Sequence, residues 1–364
     1  MSLEKNENPL RATIGVITKK QLFLPIFALC LMMIVNVLVT PSFFKISIQN
    51  GVLYGYIIDI INRGSELIIL SVGMTLVVAS SAGADISVGA VSALAAAVCV
   101  RLLGSSYDAY ATPMAMAIFV ALLAGLSCGA FNGILVSKLH IQPMVATLIL
   151  FTAGRGIAQL ISAREINGKM VSGQILYVRM DSFRKFGGFL PNVVIPTPVF
   201  IAFGFVLVTY FILNKTAIGL YIKTVGINPK AGKLVGINSA LVIFFCYAFA
   251  GMASGLAGVI SASRIYSSDA NNIGLNMELD AILAVALGGN SLGGGKFSLI
   301  GSVIGAITIQ ALTTSLYAMG VTADQIPVYK AIVVILIVSI QSEEFKHWIA
   351  LYKLSRQSKK VVVA

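Results

Sequence analysis

Long apolar stretches separated by short polar ones dominate this sequence. About 20 apolar residues in helical conformation cross the hydrocarbon core of a bilayer, and most of these stretches approach or reach that length. The pattern therefore predicts an all-α integral membrane protein with about ten transmembrane helices, some of them broken or half-length. The predicted segments are residues 21–40, 66–80, 86–103, 113–136, 143–161, 193–213, 241–261, 280–288, 297–318 and 328–340.

The composition excludes most other classes of protein. Of the 364 residues, 57% are hydrophobic and 11% are charged, whereas about 25% are charged in an average soluble domain. Too few charges remain to cover a large domain outside the membrane. The four cysteines lie inside apolar stretches and the two histidines stand alone, so we expect neither a disulfide framework nor a Cys/His metal site.

The distribution of basic residues predicts the orientation. The chain has 26 Lys and Arg against 14 Asp and Glu, a net charge of +12. If the segments cross the membrane alternately, 15 basic residues lie on the inner side and 8 on the outer side, as the positive-inside rule expects. Both termini are then cytoplasmic. Basic charge on so apolar a chain favours contact with anionic membrane lipid and gives no reason to expect nucleic acid as a partner. The first stretch exceeds the roughly 7–15-residue apolar core of a signal peptide, so we expect it to be retained.

Two of the apolar segments, 66–80 and 280–288, are too short to span a membrane alone. The second would extend only about 13 Å as a helix, less than half of the hydrocarbon core of about 30 Å. Each lies next to a break rich in small residues, at 81–89 and 288–295. Non-helical backbone at membrane depth is tolerated only beside protein or a water-filled cavity. These breaks therefore predict half-helices that line a transport path.

The most informative loop is the predicted cytoplasmic one at 214–239, which holds four lysines and no acid. Asn228 and Pro229 form an N-cap followed by proline at the first helical position, and Gly236 suits the position after the helix end. This predicts a two-turn helix over 229–235. So short a helix is marginal in water, so a surface must hold it. A basic loop lying on lipid headgroups is the alternative interpretation.

Four motifs, in order along nearly the whole chain, resemble the monosaccharide permeases of ATP-binding-cassette importers, the ribose, galactose and galactofuranose branch. SAGADISVG at 81–89 is similar to that family's signature and IQPMVATLILFTAGRGIAQLI at 141–161 to its central span. TVGINPKAGKLVGIN at 224–238 resembles the family's cytoplasmic coupling segment, and ALGGNSLGGGKF at 286–297 its late glycine-rich segment. SSDANNIGLNMELDAILAV at 267–285 looks closest to the galactofuranose-type permease.

The resemblance implies the permease fold of these importers, in a bacterial inner membrane. A cytoplasmic tail would occupy 1–20, the transmembrane permease domain 21–342, with its periplasmic loop at 162–192, and a basic cytoplasmic tail 343–364. The implied partners are a second permease subunit, identical or related, a periplasmic sugar-binding protein and a separate ATPase subunit. That ATPase would dock on the coupling segment, whose assigned residues are Asn228, Pro229, Lys230, Ala231, Gly232, Lys233, Leu234 and Gly236.

The sequence departs from the family's pattern at several positions. Gly232 replaces a family alanine, and because an interior glycine costs roughly 0.5–1 kcal/mol against alanine, we expect a looser coupling helix. Ala82, Ala84 and Ile86 also differ from the family's signature, which affects the expected geometry of the path.

We expect this chain to bind no cofactor. The run at 293–296 looks like a phosphate-binding loop, but Asn290 stands where the first glycine should be and Phe297 where Ser or Thr should hold Mg²⁺. ATP and Mg²⁺ would then be bound by the partner ATPase, and no covalent chemistry is asked of this chain.

Polar groups at membrane depth are costly and therefore indicate function. The candidates for the transport path are Asp85, Ser87, Arg155, Asp280 and Asn290. Asp85 has an alternative role as a cap for the amides of residues 88 and 89. Arg155 has an alternative role as a snorkelling or ion-paired side chain, and residues 101 and 330 are expected to anchor at the membrane interface.

A polar outer segment offers donors and acceptors for sugar hydroxyls or for a docking protein. Its candidate docking residues are Asp269, Asn271 and Asn272. A solvated loop predicts the same composition, so these roles stay open.

The leading hypothesis is thus a permease subunit that passes a monosaccharide through an ATP-driven importer. The alternative is an ion-coupled secondary transporter that acts without an ATPase and uses Asp85 or Asp280 as its coupling carboxylate. A membrane scaffold or membrane enzyme is disfavoured, because the sequence shows no nucleophile and base pair. The sugar, its ring form and the choice between homodimer and heterodimer stay open, although the galactofuranose-type resemblance favours a heterodimer.

Overall fold

A computed structural model describes residues 23–49, 52–191 and 193–341 of the chain. The predicted tails at 1–20 and 343–364 lie outside the described residues. Helices dominate the described part and confirm the all-α fold class. They are α1 Phe23–Val39, α2 Tyr56–Ser81, α3 Val88–Leu103, α4 Met114–Ser137, α5 Pro143–Ile161, α6 Asp181–Gly187, α7 Thr197–Lys215, α8 Ile218–Ile227, α9 Pro229–Leu234, α10 Ser239–Ile265, α11 Met277–Leu287, α12 Leu299–Ala318 and α13 Ile326–Gln341.

Three small antiparallel pairs of strands lie in the loops of the described residues. β1 Ser47–Gln49 pairs with β2 Val52–Tyr54, and β3 Arg164–Ile166 pairs with β4 Lys169–Val171. β5 Leu176–Tyr177 pairs with β6 Ser267–Ser268, with Leu176 opposite Ser268. The last pair joins the long loop after α5 to the loop after α10, so these two loops lie at the same end of the helix bundle.

Each of the ten predicted apolar segments coincides with a helix. Six helices of the described part are long and apolar enough to cross a membrane, namely α2, α4, α5, α7, α10 and α12. The others are shorter, with 16 residues in α3 and 11 in α11. The number of membrane crossings therefore stays a prediction. The multi-pass character holds for any such number, because six helices are already long enough to cross.

The segment at 66–80 was wrongly predicted to be short. It is the second part of α2, which has 26 residues and begins at Tyr56, enough for about 39 Å at 1.5 Å per residue. The first turns contain polar residues that lower the local hydropathy, so the start of the helix is not evident from the sequence. These residues are Asp59, Asn62, Arg63 and Glu66. They recur every three or four residues, which places them along one side of the helix.

The two predicted breaks are non-helical in the structure. The chain leaves α2 at Ala82, whose φ of 52° is left-handed, and resumes the helix at Val88. The second break runs from 288 to 298, where Gly289, Gly294 and Gly295 all have positive φ. A side chain is rarely tolerated there, so the glycines permit these turns.

α2 lies at the centre of the bundle and α10 packs closely against α4. The α4–α10 contact is made through facing glycines, Gly125 and Gly129 on α4 with Gly251 and Gly255 on α10. A Cβ on Gly251 would overlap the carbonyl oxygen of Gly125. Small residues let helix backbones approach in this way where lipid provides little hydrophobic drive for association.

The bundle has two distinct ends. One, here named the α9 end, carries α8, α9, the break at 288–298 and the start of α5, where Gly83 contacts Pro143. The other, here named the loop end, carries the loops at 104–113, 162–196 and 266–276. At the loop end the Tyr110 hydroxyl lies 2.6 Å from the Ser182 hydroxyl.

Candidate coupling and translocation sites

The short helix predicted over 229–235 is present and ends one residue earlier than expected. α9 spans Pro229–Leu234, and Val235 is its C-cap. Asn228 Oδ1 accepts hydrogen bonds from the amides of Lys230 at 3.0 Å and Ala231 at 3.1 Å, as the predicted N-cap requires. The Ser239 hydroxyl donates to the Pro229 carbonyl at 3.0 Å, which ties α9 to the start of α10.

α9 presents an apolar tip to solvent. Leu234 is 89% exposed, Val235 71% and Ile227 66%, and Lys230 and Lys233 are exposed beside them. Single exposed leucines are ordinary on protein surfaces, but three large apolar side chains on one small projection favour contact with a partner.

Gly232 faces the protein instead of solvent, and the expectation that it loosens α9 is not supported by its surroundings. It is buried, and a Cβ there would meet Ser239 Oγ, Val225 and Ile237 at 3.6–3.9 Å, which are ordinary contacts. An alanine therefore fits at this position. The cap and the contact with α10 hold the short helix, and both glycine and alanine are compatible with them at 232.

α8 contacts the end of α2 and the second break. Gly226 lies against the carbonyl oxygen of Ala79 and the amide of Gly295, and the Gly295 amide donates to the same Ala79 carbonyl at 2.9 Å. The Lys223 ammonium lies 5.5 Å from the centre of the Phe297 ring, within the range of a cation–π contact. A displacement of α9 and α8 would therefore alter the packing at both breaks.

The Asn290 side chain forms hydrogen bonds across the second break. Its Oδ1 accepts from the Ser298 amide at 2.6 Å, and its Nδ2 donates to Ser302 Oγ at 2.7 Å. Thr75 Oγ1 on α2 donates to the same Ser302 hydroxyl at 2.6 Å. These bonds favour a role in holding the loop against α12 and α2. Contact of Asn290 with a solute stays a prediction.

Asp85 forms a local turn instead of the predicted cap. Its carboxylate is 1% exposed, and Oδ1 accepts from the Ser87 amide at 2.8 Å and the Ser87 hydroxyl at 2.6 Å. No described bond joins it to the amides of residues 88 and 89, so the capping interpretation was wrong. Asn132 on α4 donates to Ser87 Oγ at 2.9 Å. The result is a buried polar cluster of Asp85, Ser87 and Asn132 at the first break, of which the sequence did not predict Asn132.

Arg155 forms no ion pair among the described residues. Its Nη1 donates to the carbonyls of Ala270, Asn271 and Ile273 at 3.0, 3.1 and 3.2 Å. One turn further along α5, Gln159 donates to Asn271 Oδ1 at 2.7 Å. α5 thereby holds the segment between β6 and α11, because a guanidinium can donate several bonds at once. The predicted ion pair of Arg155 is thus replaced by bonds to backbone carbonyls, while its snorkelling stays a prediction.

Asp280 pairs with Lys330 across α11 and α13. The Lys330 ammonium lies 2.7 Å from Asp280 Oδ2, and both side chains are mostly buried. Lys330 is therefore an ion-pair partner of Asp280, and its predicted place at the membrane interface stays a prediction. The Asp280 carboxylate is occupied by this contact in the structure, and its proposed contact with the path is untested.

A second ion pair of the described residues, Glu66 with Arg264, was missed by sequence reasoning. Glu66 Oε1 lies 3.0 Å from Arg264 Nη1, and Arg264 Nη2 donates to the Asn62 carbonyl at 2.9 Å. The pair links α2 to α10 at the loop end of the bundle. The spacing of Asp59, Asn62, Arg63 and Glu66 on one side of α2 was the signal that could have revealed it.

The polar segment around Asp269, Asn271 and Asn272 forms a turn held by its own hydrogen bonds. Asp269 Oδ1 accepts from the Asn271 amide at 2.9 Å and Oδ2 from Asn272 Nδ2 at 2.6 Å. Asn271 and Asn272 are exposed. Their docking role stays a prediction. No group of three His, Cys, Asp or Glu side chains is placed to hold a metal in the described part of the chain.

Comparison with known proteins supplies the family. Residues 56–340 match the family described as the permease component of branched-chain amino acid transport systems. The chain is 42% identical over 319 residues to the galactofuranose transporter permease protein YtfT of Escherichia coli, covering 87% of this chain and 89% of that one. It is 34% identical over 338 residues to the fructose import permease protein FruF of Bifidobacterium longum, covering 92% and 91%.

The ribose import permease protein RbsC of Escherichia coli is a further relative, 34% identical over 316 residues, which cover 87% of this chain and 92% of that one. No solved structure matches the chain significantly. The resemblance predicted from four motifs is thus confirmed over most of the length. The chain belongs to this permease family, the membrane-spanning and non-enzymatic subunits of ATP-binding-cassette sugar importers.

Proposed function

We infer that this permease subunit takes its energy from an ATPase that docks on α9 and that it passes a galactofuranose-like monosaccharide across a bacterial inner membrane. The observation that carries this inference is the exposed apolar tip of α9, whose helix is capped by Asn228 and connected through α8 to both breaks. In this orientation the α9 end and both termini are cytoplasmic, as the basic residues predict.

The substrate class rests on the relatives. Their names describe import of galactofuranose, fructose and ribose, which are all monosaccharides. The highest of the three identities is to the galactofuranose permease, so this sugar is the first candidate. A pocket built for one sugar rejects a different sugar because some hydrogen-bonding groups are then left unpaired. A few side chains therefore decide which sugar is accepted, and they can differ between members of one family.

The proposed mechanism is movement without covalent chemistry. ATP and Mg²⁺ would bind to two partner ATPase domains, whose closure displaces α9. Because Gly226 and Gly295 both meet the Ala79 carbonyl, the displacement reaches the end of α2 and the breaks at 82–87 and 288–298. Rocking of one permease half against a second permease subunit would then open the path alternately to each side.

The remaining partners follow from the same architecture. A second permease, identical or related, completes the path, and a periplasmic sugar-binding protein delivers the sugar to the loop end, where Asn271 and Asn272 are exposed. The ion-coupled alternative gains no support, since its two carboxylates are engaged, Asp85 by Ser87 and Asp280 by Lys330.

The substitution Leu234→Asp tests the coupling assignment. It places a carboxylate in the apolar tip, and burying it against the ATPase would cost a large part of the binding energy. We expect co-purification of the ATPase and ATP-driven sugar uptake to fall by at least about tenfold, corresponding to about 1.4 kcal/mol. Folding should be unaffected, because Leu234 contacts solvent.

Leu190→Asp is the matched control. Leu190 is an exposed leucine at the loop end, so the same change there should leave ATPase association intact. Normal association and uptake in the Leu234→Asp variant would refute docking on α9.

A further inference from the structure

A polar cleft opens between α2, α10 and the segment that leads into α11. Its volume is about 270 Å³. The side chains that give it polar character are Arg63, Glu66, Ser261, Arg264, Asp269 and Asn272. The cleft lies at the loop end, on the opposite side of the bundle from α9, and it brings together the Glu66–Arg264 pair with Asp269 and Asn272.

The cleft is built around a buried charge. Glu66 is only 6% exposed and forms its ion pair with Arg264 at 3.0 Å. Among the described residues, Arg264 Nε is buried and has no hydrogen-bond partner. Buried polar groups are normally hydrogen-bonded, so an unused donor beside a buried carboxylate indicates a ligand that supplies the missing acceptor.

The charges of the cleft favour a neutral ligand. Arg63 and Arg264 balance Glu66 and Asp269, so the cleft has no net charge with which to select an anion or a cation. Guanidinium and carboxylate groups each offer two hydrogen-bonding positions side by side, which match adjacent hydroxyl groups. Ile265, Ile273, Leu275 and Met277 supply an apolar surface for a carbon skeleton.

One side of the cleft lies next to the contact between the starts of α3 and α11. Ile273 and Gly274 line the cleft, and Gly274 also packs against Gly89 at the start of α3. Glu278, at the start of α11, contacts Gly89 as well. A molecule in the cleft would therefore lie directly above the point where the first turns of α3 and α11 meet.

We propose that this cleft is the entry site at which the permease receives a single sugar ring, with Glu66, Arg264 and Arg63 as the groups that bind its hydroxyls. This inference rests on the proposed function, because it names the substrate-receiving site of that transport. Arg155 acts as a positioning residue here, since its three carbonyl contacts hold the segment that forms one wall.

Protection of an introduced cysteine tests the site. Leu275, an exposed residue of the lining, is replaced by Cys in a chain whose Cys30 and Cys128 are changed to Ser, because the other two native cysteines are buried. The variant is reconstituted with its ATPase and second permease subunit in nanodiscs, and a separate sample receives the sugar-binding protein without sugar. The rate of labelling by a charged thiol reagent is measured with D-galactose, D-fructose or D-ribose in excess. Leu190→Cys, at the same end and outside the cleft, is the control.

We expect at least one of these sugars to slow labelling of Leu275→Cys several-fold and to leave Leu190→Cys unchanged. Adding Glu66→Gln or Arg63→Gln should raise the sugar concentration needed for protection about tenfold, the effect of one charged hydrogen bond. If Glu66→Gln alone leaves Arg264 unpaired and prevents folding, Arg63→Gln decides the test, because Arg63 lies exposed at the rim.

Three results would overturn the entry site: no sugar protects the cysteine, protection is unaffected by both substitutions, or the binding protein protects without sugar. The third would make the cleft a docking surface for protein. ATP-driven uptake, measured on the same complex in liposomes with the sugar-binding protein added, separates this outcome from failure of the proposed function. Uptake without protection refutes only the cleft, whereas absence of uptake by the unsubstituted complex refutes the transport proposal and the cleft together.

Discussion

Individual polar residues of this bundle are tied to one another, and Asp280 with Lys330 is the clearest case. Their 2.7 Å contact spans α11 and α13 with both side chains mostly buried. Removing one partner of such a pair leaves an uncompensated charge, whereas replacing both is often tolerated. Asp85, Arg155 and Asn290 follow the same principle, because each forms hydrogen bonds with protein groups. At this scale, the polar and charged side chains in the apolar part of the chain serve first to stabilise the fold.

The substitution Asp280→Asn should lower the free energy of unfolding by about 1–3 kcal/mol, less than for a fully buried pair because some solvent reaches both groups. The double variant Asp280→Asn with Lys330→Met should recover most of the loss. Thermal unfolding of the purified protein measures both. Glu165→Gln, at an exposed position on β3, is the control and should change stability by less than about 0.5 kcal/mol. Equal stability of the single and double variants would argue against the pair.

Among the elements, α4 and α10 depend on glycine for their contact. Gly125, Gly129 and Gly251 let the two backbones touch, and composition alone does not reveal which glycines face another helix. Gly204 on α7 has nothing within 4 Å of its Cβ position. Replacing glycine by alanine should therefore have opposite effects on stability in α10 and in α7.

Gly251→Ala should destabilise the protein by about 1–3 kcal/mol, because the added methyl overlaps the α4 backbone and the helices must separate. Gly204→Ala should be neutral or stabilising by about 0.5–1 kcal/mol, since alanine is the better helix former in open space. Melting temperatures in one detergent compare the two. A Gly251→Ala protein as stable as the unsubstituted chain would contradict the close packing of α4 and α10.

At the scale of the whole molecule, the α9 end and the breaks form one connected unit. α9 is capped by Asn228 and held to α10, α8 packs against Ala79, and Gly295 bonds to the same carbonyl. Cores and interfaces switch between discrete arrangements more readily than they deform. A movement imposed on α9 is therefore carried as a shift of packed parts toward the breaks.

Gly226→Ala should uncouple the transporter, because its methyl group would overlap the Ala79 carbonyl and displace α8 from α2. We expect the ATPase to remain associated and to hydrolyse ATP while sugar uptake per ATP falls severalfold. Gly232→Ala is the matched control, since its methyl makes ordinary contacts. Unchanged stoichiometry of uptake to hydrolysis in Gly226→Ala would remove this contact from the coupling route.

The sequence predicted the elements well, because apolar length and periodicity are local properties. All ten apolar segments coincide with helices, and the Asn228 cap with Pro229 located α9 to within one residue. The error at α2 has a local cause as well, because the polar residues Asp59, Asn62 and Arg63 interrupt the apolar pattern in the first turns of the helix. The candidate sites were located less well, because Arg155, Lys330 and Glu66 take their roles from residues more than 40 positions away.

The sequence by itself determined the membrane-embedded all-α class, the two breaks, the capped helix and the permease family, since each depends on composition, local spacing or a motif. Only the tertiary structure decided that Ser87 bonds to both Asp85 and Asn132, that Arg155 holds carbonyls in the 270–273 segment, and that Glu66 and Arg264 line a cleft with Asp269 and Asn272. The physical reason is that a helix and its cap are stabilised by neighbours in the chain, whereas a buried charge is stabilised by whichever distant group the packing brings to it.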